Sequence, residues 1–128
     1  SDLASHGAHI NAVGAIVPAR CEFAGDVFPR CSAIAVDTII GVKELSREFI
    51  DYYEEGKGDW DQVKLISQMI NEGFSRPVGG DLTLFKAMGM GISDIAVAHE
   101  ILIRCRGNKF VHTLPERQSQ KLPLRKMN

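Results

Sequence analysis

The chain has 128 residues, which is room for one domain, and its apolar fraction of 45% and charged fraction of 24% are ordinary for a soluble globular protein. A formal net charge of −1 gives no electrostatic footprint for nucleic acid, and no apolar run is long enough to cross a membrane. Cys21, Cys31 and Cys105 are odd in number and widely spaced, so they form neither a CxxC pair nor a disulfide framework. Reduced thiols in a cytoplasmic protein are expected. His6, His9, His99 and His112 have no acidic or Cys partner at ligand spacing, and no metal site is expected.

Residues 1–8 are small and polar and lead in; they carry no signal-peptide pattern. A start at Ser1 fits initiator processing, a cloning residue or a cut from a longer protein. His9 to Val13 is the first strand candidate, short and mostly apolar, as in a strand covered on both faces. Gly14 punctuates it and Pro18 fixes the loop that follows. Arg20, Cys21 and Glu22 come next. Glu22 to Arg30 has room for one helical turn, ended by Pro29.

Ser32 to Val36 is the second strand candidate. Asp37 or Thr38 is placed to cap a helix from about Ile39 to Glu55, where Val42, Leu45, Phe49 and Tyr52 or Tyr53 recur at helical spacing. Gly56 and Gly58 stop it. Asp59 and Gln62 resemble a capping box, so a second helix is expected from Asp59 to Gly73. Its stripe is Val63, Ile66 and Ile70, with Trp60 over the sheet. Residues 74–81 read as a loop, and Leu82 to Phe85 as the third strand. Gly89 and Gly91 then permit a tight turn into a helix capped by Ser93 or Asp94 and running to Arg106. Ile92, Ile95, Ala96, His99, Leu102 and Ile103 share one face of it. Lys109 to Leu114 is a candidate edge strand, and residues 107–128 a polar, partly disordered tail.

This order gives an α/β chain with a partial, mostly parallel sheet of three to four strands flanked by helices. No G-x-G-x-x-G turn, P-loop or G-x-S-x-G elbow is present; Gly89-Met90-Gly91 lacks the third glycine. Whatever this half-sheet binds, it is expected to hold one end of the ligand.

Two stretches together resemble the ornithine cyclodeaminase/μ-crystallin family. One is His9-Ile10-Asn11-Ala12-Val13-Gly14-Ala15 with Pro18, Arg20 and Glu22. The other is Asp81-Leu82-Thr83-Leu84-Phe85-Lys86-Ala87-Met88-Gly89 with Gly91, Ile92, Asp94 and Ala96. Ala35-Val36-Asp37 also matches the family's strand ending in V-V-D. The resemblance covers roughly residues 7–106, in order and spacing.

It implies that residues 1–106 are the C-terminal half of a Rossmann-like NAD(P)-binding domain plus the helix that returns to a dimerising substrate domain. The family's glycine-rich loop and its substrate-carboxylate residues lie earlier in the pattern. By resemblance, the cofactor (NAD or NADP) meets Val13, Gly14, Ala15, Arg20 and Ala87, and Met88 lies on the substrate side. Cyclodeaminases place a catalytic Asp directly after V-G-A, where this chain has Ile16, which exchanges no proton with a substrate amine. No catalytic residue is therefore assigned. The resemblance implies a truncated or fragmentary NAD(P)-binding member whose intact relatives act on small amino or imino acids, by cyclodeamination, amino-acid dehydrogenation or ketimine reduction. It also implies a homo-oligomer or a missing N-terminal segment. The alternatives are a non-enzymatic dimerisation or interaction module, and an enzyme using Cys21 or Cys31 as nucleophile, with Arg20 lowering the Cys21 pKa.

Overall fold

The computed structural model describes residues 2–108, 111, 112, 114 and 115. Four strands form one sheet: β1 (His9–Ala12), β2 (Cys31–Val36), β3 (Val63–Leu65) and β4 (Leu82–Lys86). Their order is β1-β4-β2-β3 and every pairing is parallel. The last strand in sequence is thus inserted between the first two. The candidate edge strand at Lys109 to Leu114 and the tail from 107 lie largely outside the described residues. The chain divides into two units, Ser1–Ser93 and Asp94–Asn128.

Register decides which side chains meet. Ile10, Leu84, Ile34 and Val63 stand in one row across the sheet, and Ala12, Lys86, Val36 and Leu65 in the next. With a side-chain period of two, these rows share a face. That face is the core: Ala12, Ile34, Val36, Val63 and Leu84 pack with Phe28, Val42, Phe49, Tyr53 and Met88. A bulge between Cys31 and Ala33 leaves Ser32 over, and its hydroxyl donates to the Leu82 carbonyl at 2.8 Å.

The aromatic side chains form the outer wall of this core. Phe28 meets Phe49 edge-on at 4.9 Å and Tyr53 at 5.3 Å. Tyr53 stacks on Trp60 at 4.6 Å, and the Lys43 ammonium lies 4.7 Å over the Trp60 ring. Phe28 is delivered by a 3₁₀ segment, Gly25–Arg30, which accommodates Pro29 near its end.

Two expected helices differ from their sequence reading. The first, expected from Ile39 to Glu55, is broken. It consists of α1 (Ile39–Leu45), a turn Arg47–Phe49 and a wide π turn Ile50–Glu54. Ser46 interrupts it: its hydroxyl turns to the Glu48 carboxylate at 2.8 Å, and both residues are buried. Thr38, not Asp37, caps α1, accepting from the Gly41 N–H at 3.2 Å.

The second correction is larger. Asp59 does not open a helix to Gly73. It caps a 3₁₀ turn, Trp60–Gln62, after which Val63–Leu65 is β3 and only Ile66–Asn71 is helical (α2). Pairing with the exposed side of β2 overrides the local helical pattern, because β2 would otherwise present an unpaired edge. The stripe shifts accordingly: Met69 is buried and Ile70 is 70% exposed.

The final helix, α3 (Gly91–Cys105), starts before its expected caps, with Ser93 and Asp94 inside its first turn. No residue of it is buried; Ile92, Ile95, Leu102 and Ile103 are all exposed.

At the amino ends of the strands, Arg30 forks onto Asp81 at 2.8 and 3.1 Å and also donates to the Ala4 carbonyl at 2.9 Å. Hydrogen bonding from Arg30, opposed by partial burial, holds the Asp81 carboxyl below its usual range.

Two outcomes are expected in denaturant and acid unfolding. Phe49→Ala should cost about 3–5 kcal/mol, while Ile70→Ser should stay within about 0.5 kcal/mol; equal costs would contradict the placement of β3. A lowered native carboxyl contributes stability above its unfolded pKa and loses it as pH falls through the native value. Asp81→Asn should therefore flatten the acid-side loss of stability relative to the unsubstituted chain.

Candidate functional site

In an open parallel sheet the loops at the carboxyl ends of the strands form the ligand crevice. Here those loops are 13–22 after β1, 37–38 after β2 and 87–90 after β4. Their arrangement depends on Lys86. It ends the inward-facing row Leu82, Leu84, Lys86 and is fully buried. Its Nζ donates to the Ala15 carbonyl at 2.6 Å and to Glu22 Oε2 at 2.5 Å. A buried ammonium requires such partners, since an unpaired charge in a core costs several kcal/mol.

Glu22 passes the constraint on. Its Oε1 accepts from the Gly14 N–H at 2.7 Å. A Cβ at position 14 would lie 3.0 Å from Glu22 Oε1, so glycine allows this approach. Burial pushes the Glu22 carboxyl up, but hydrogen bonds from Lys86, Ala15 and Gly14 outweigh it and leave the pKa below its ordinary value. The Glu22 N–H is itself held by buried Glu48 at 2.6 Å.

The loop after β4 is held in the same manner. Asp37 accepts from the Met88 N–H at 3.0 Å and from the Gly89 N–H at 2.8 Å. Gly89 has φ +84°, which lets the two N–H groups converge on one carboxylate.

The structure brings the sequence-derived residues to one end of the sheet in different states. Val13, Gly14 and Arg20 are exposed, and the Arg20 side chain has no hydrogen-bond partner among the described residues. Ala15 is 4% exposed and Ala87 half-buried. Met88 is buried in the core cluster, with its peptide N–H on Asp37. Ile16 is exposed where a carboxylate would stand in cyclodeaminases. No cluster of candidate metal ligands exists among the described residues.

Neither candidate thiol is activated. Burial, then the Glu48 charge, raises the Cys21 pKa, and its thiol donates to the Phe23 carbonyl at 2.9 Å. Burial pushes Cys31 up to about 11. The expected lowering of Cys21 by Arg20 is absent because Glu48 faces the sulfur instead. Sequence reading missed Lys86, Glu48 and the Asp37 contacts. The inward alternation of 82, 84 and 86 was the available signal for Lys86; nothing local pointed to Glu48.

A cavity of about 800 Å³, lined by Phe28, Cys31, Tyr52, Lys57 and Asp59 among others, opens at the amino ends of β2 and β3. It lies away from the strand ends where open parallel sheets bind ligands.

No protein-family model and no curated protein matches the chain. Solved structures do. Thermococcus litoralis Δ1-pyrroline-2-carboxylate reductase, in complex with NADH and L-proline, is 26% identical over 80% of this chain, with a TM-score of 0.67. An archaeal alanine dehydrogenase dimer with bound NAD is 24% identical over 88% (TM-score 0.69). A probable ornithine cyclodeaminase from Bordetella pertussis Tohama I is 20% identical over 80% (TM-score 0.65). The chain spans 32%, 35% and 34% of these proteins respectively, about a third of their length. These neighbours bear out the resemblance to the ornithine cyclodeaminase/μ-crystallin family and the Rossmann-like parallel sheet on which it rests.

Proposed function

We propose that this chain is the C-terminal part of a nicotinamide-dinucleotide domain of the ornithine cyclodeaminase/μ-crystallin type. Its intact form would act on a small amino or imino acid. The observation that supports this best is the fixed turn at the end of β1, held by Glu22 and Lys86 at the carboxyl edge of a parallel sheet. In this reading Val13, Gly14 and Ala15 line the nicotinamide side of the cofactor, Arg20 supplies a polar contact and Ala87 abuts the ring. Met88 marks the substrate side through its backbone, its side chain being in the core.

The cofactor would supply hydride transfer; these residues would orient it. Isoleucine at position 16 has no proton to give or take, so the chemistry favoured is dehydrogenation or imine reduction over cyclodeamination. Crossing a membrane is not part of the reading, since no helix among the described residues is long and apolar enough.

The second reading, an interaction module, draws on α3. Apolar residues occupy most of its circumference, the pattern of a helix buried on several sides. Yet Ile92, Ile95, Val97, Ile101, Leu102 and Ile103 are exposed. Association with a second copy or with another chain would cover them; a strictly monomeric chain in solution would count against it.

Two titrations test the first reading. Trp60 sits before β3, at the far end of the strands from the crevice, so dihydronicotinamide emission is the better reporter. Addition of the chain to NADH or NADPH is expected to enhance that emission, with weak affinity. No change up to about 1 mM, equivalent to less than roughly 4 kcal/mol of binding, would overturn it. Arg20→Ala should weaken binding by up to about tenfold, the worth of one charge-assisted hydrogen bond at an exposed position.

A further inference from the structure

The cavity of about 800 Å³ at the amino ends of β2 and β3 follows from the register of the sheet. β3 begins at Val63, opposite Ile34, so Cys31, Ser32 and Ala33 of β2 have no β3 neighbour and the space beyond them stays open. Phe28, Tyr52 and Tyr53 line it, with ring centroids 4.6 to 5.3 Å apart. The turn at Gly58 lies against both tyrosines: a Cβ there would stand 2.7 Å from the Cε1 of each, and glycine allows the approach.

Tyr53 is 4% exposed, and its hydroxyl has no hydrogen-bond partner among the described residues. No fully enclosed side-chain oxygen is left unpaired among those residues, so this hydroxyl opens onto the cavity that Tyr53 lines. Burial first, then Tyr52, Cys31 and Asp59, raises its pKa, and it stays a neutral hydroxyl whose oxygen can accept. The charge beside it is negative. Residues 51–61 hold five carboxylates and one lysine, net −4, in a chain of net −1. Asp51 is answered by Arg47 and Lys57 by Glu55, while Glu54, Asp59 and Asp61 have no ion pair among the described residues. Asp59 lines the cavity and uses one oxygen on the Asp61 N–H at 2.9 Å, keeping the other. Trp60, stacked on Tyr53, already carries the Lys43 ammonium 4.7 Å above its ring.

We propose that this cavity is a second ligand site and takes a small organic amine in its ammonium form: the Asp59 carboxylate meets the charge, the Tyr53 hydroxyl accepts one N–H, and the organic body lies against the Tyr52 ring. Carboxylates without a cation, set beside aromatic rings, favour a positive charge and oppose a negative one. The volume falls in the range of small-molecule pockets, about 300–1,000 Å³. The hydroxyl selects amines that keep an N–H over quaternary ammonium groups, which have none. An amino acid brings a carboxylate that this rim repels, so the ligand is an amine without an acid group. The site opens at the opposite ends of the strands from the crevice and does not rest on the cofactor reading.

The test is a set of NMR titrations of the 128-residue chain with benzylammonium, benzyltrimethylammonium, benzyl alcohol and benzoate. The signals read are the Gly58 amide and the indole of Trp60, which stacks on Tyr53 at 4.6 Å. Benzylammonium is expected to shift both and to saturate. Benzyl alcohol and benzoate should bind at least about tenfold more weakly, and benzyltrimethylammonium at least about threefold. Asp59→Asn removes the charge and keeps a capping side chain at the 60–62 turn; Tyr53→Phe removes the hydroxyl and keeps the ring. Each should weaken benzylammonium binding by about three- to tenfold. No shift up to about 10 mM would overturn the proposal, as would equal binding of the alcohol or of benzoate, or undiminished affinity in Asp59→Asn. Equal binding of benzyltrimethylammonium, or undiminished affinity in Tyr53→Phe, would overturn the role of the hydroxyl. If Tyr53→Phe fails to fold, the comparison of the two ammonium probes on the unsubstituted chain decides the same point.

Discussion

A lysine ammonium with no access to solvent has to be neutralised where it stands, and in this chain that requirement shapes the crevice. Lys86 ends the central strand β4 on the core face, in line with Leu82 and Leu84. Its polar partners belong to the loop after β1, 71 and 64 positions earlier in the chain. The pairing therefore ties the last strand of the sheet to the loop of the first. Glu22 meets Lys86 with one carboxylate oxygen and the Gly14 N–H with the other, and Glu48 accepts from the Glu22 backbone N–H. One buried charge thus sets the conformation of the turn proposed to face a nicotinamide.

The same arrangement shapes what the crevice can do. Proteins that bind phosphates at strand ends leave backbone N–H groups free for them. Here Glu22 accepts from the Gly14 N–H, and Asp37 from those of Met88 and Gly89. Ile16 adds no acid or base. The resulting surface is suited to orienting a ligand rather than to exchanging protons with it. The proposed role is to hold one end of an extended cofactor, and the chain spans only about a third of each structural neighbour.

Much of this was legible in the residues, and the parts that were not share a cause. The strands at His9, Ser32 and Leu82 announced themselves by short apolar runs next to glycine or a capping residue. β3 did not, because Val63-Lys64-Leu65 is short and followed at once by Ile66 and Met69, which fit a helical stripe equally well. Only the open side of β2 selects the extended conformation there. Of the stripe expected along the long helix from Ile39, Val42, Phe49 and Tyr53 are buried but Leu45 is exposed. Its break at Ser46 follows from Glu48 turning inward to reach the 13–22 loop, a contact invisible to local pattern. Met88 illustrates the reverse case. Its position after β4 was read from motif, but whether its side chain faces a ligand or the core depends on how the loop is pinned by Asp37.

By itself, then, the sequence determined the fold class, the strand ends and the stretch that forms the crevice wall. Those properties depend on side-chain periodicity, glycine placement and local capping, which act over a few residues. Only the tertiary structure decided the strand order, the existence of β3 and the roles of Lys86, Glu22, Asp37 and Glu48. Each of these depends on a charge or a strand edge that must find its partner across the sheet, and no spacing along the chain encodes which partner that will be.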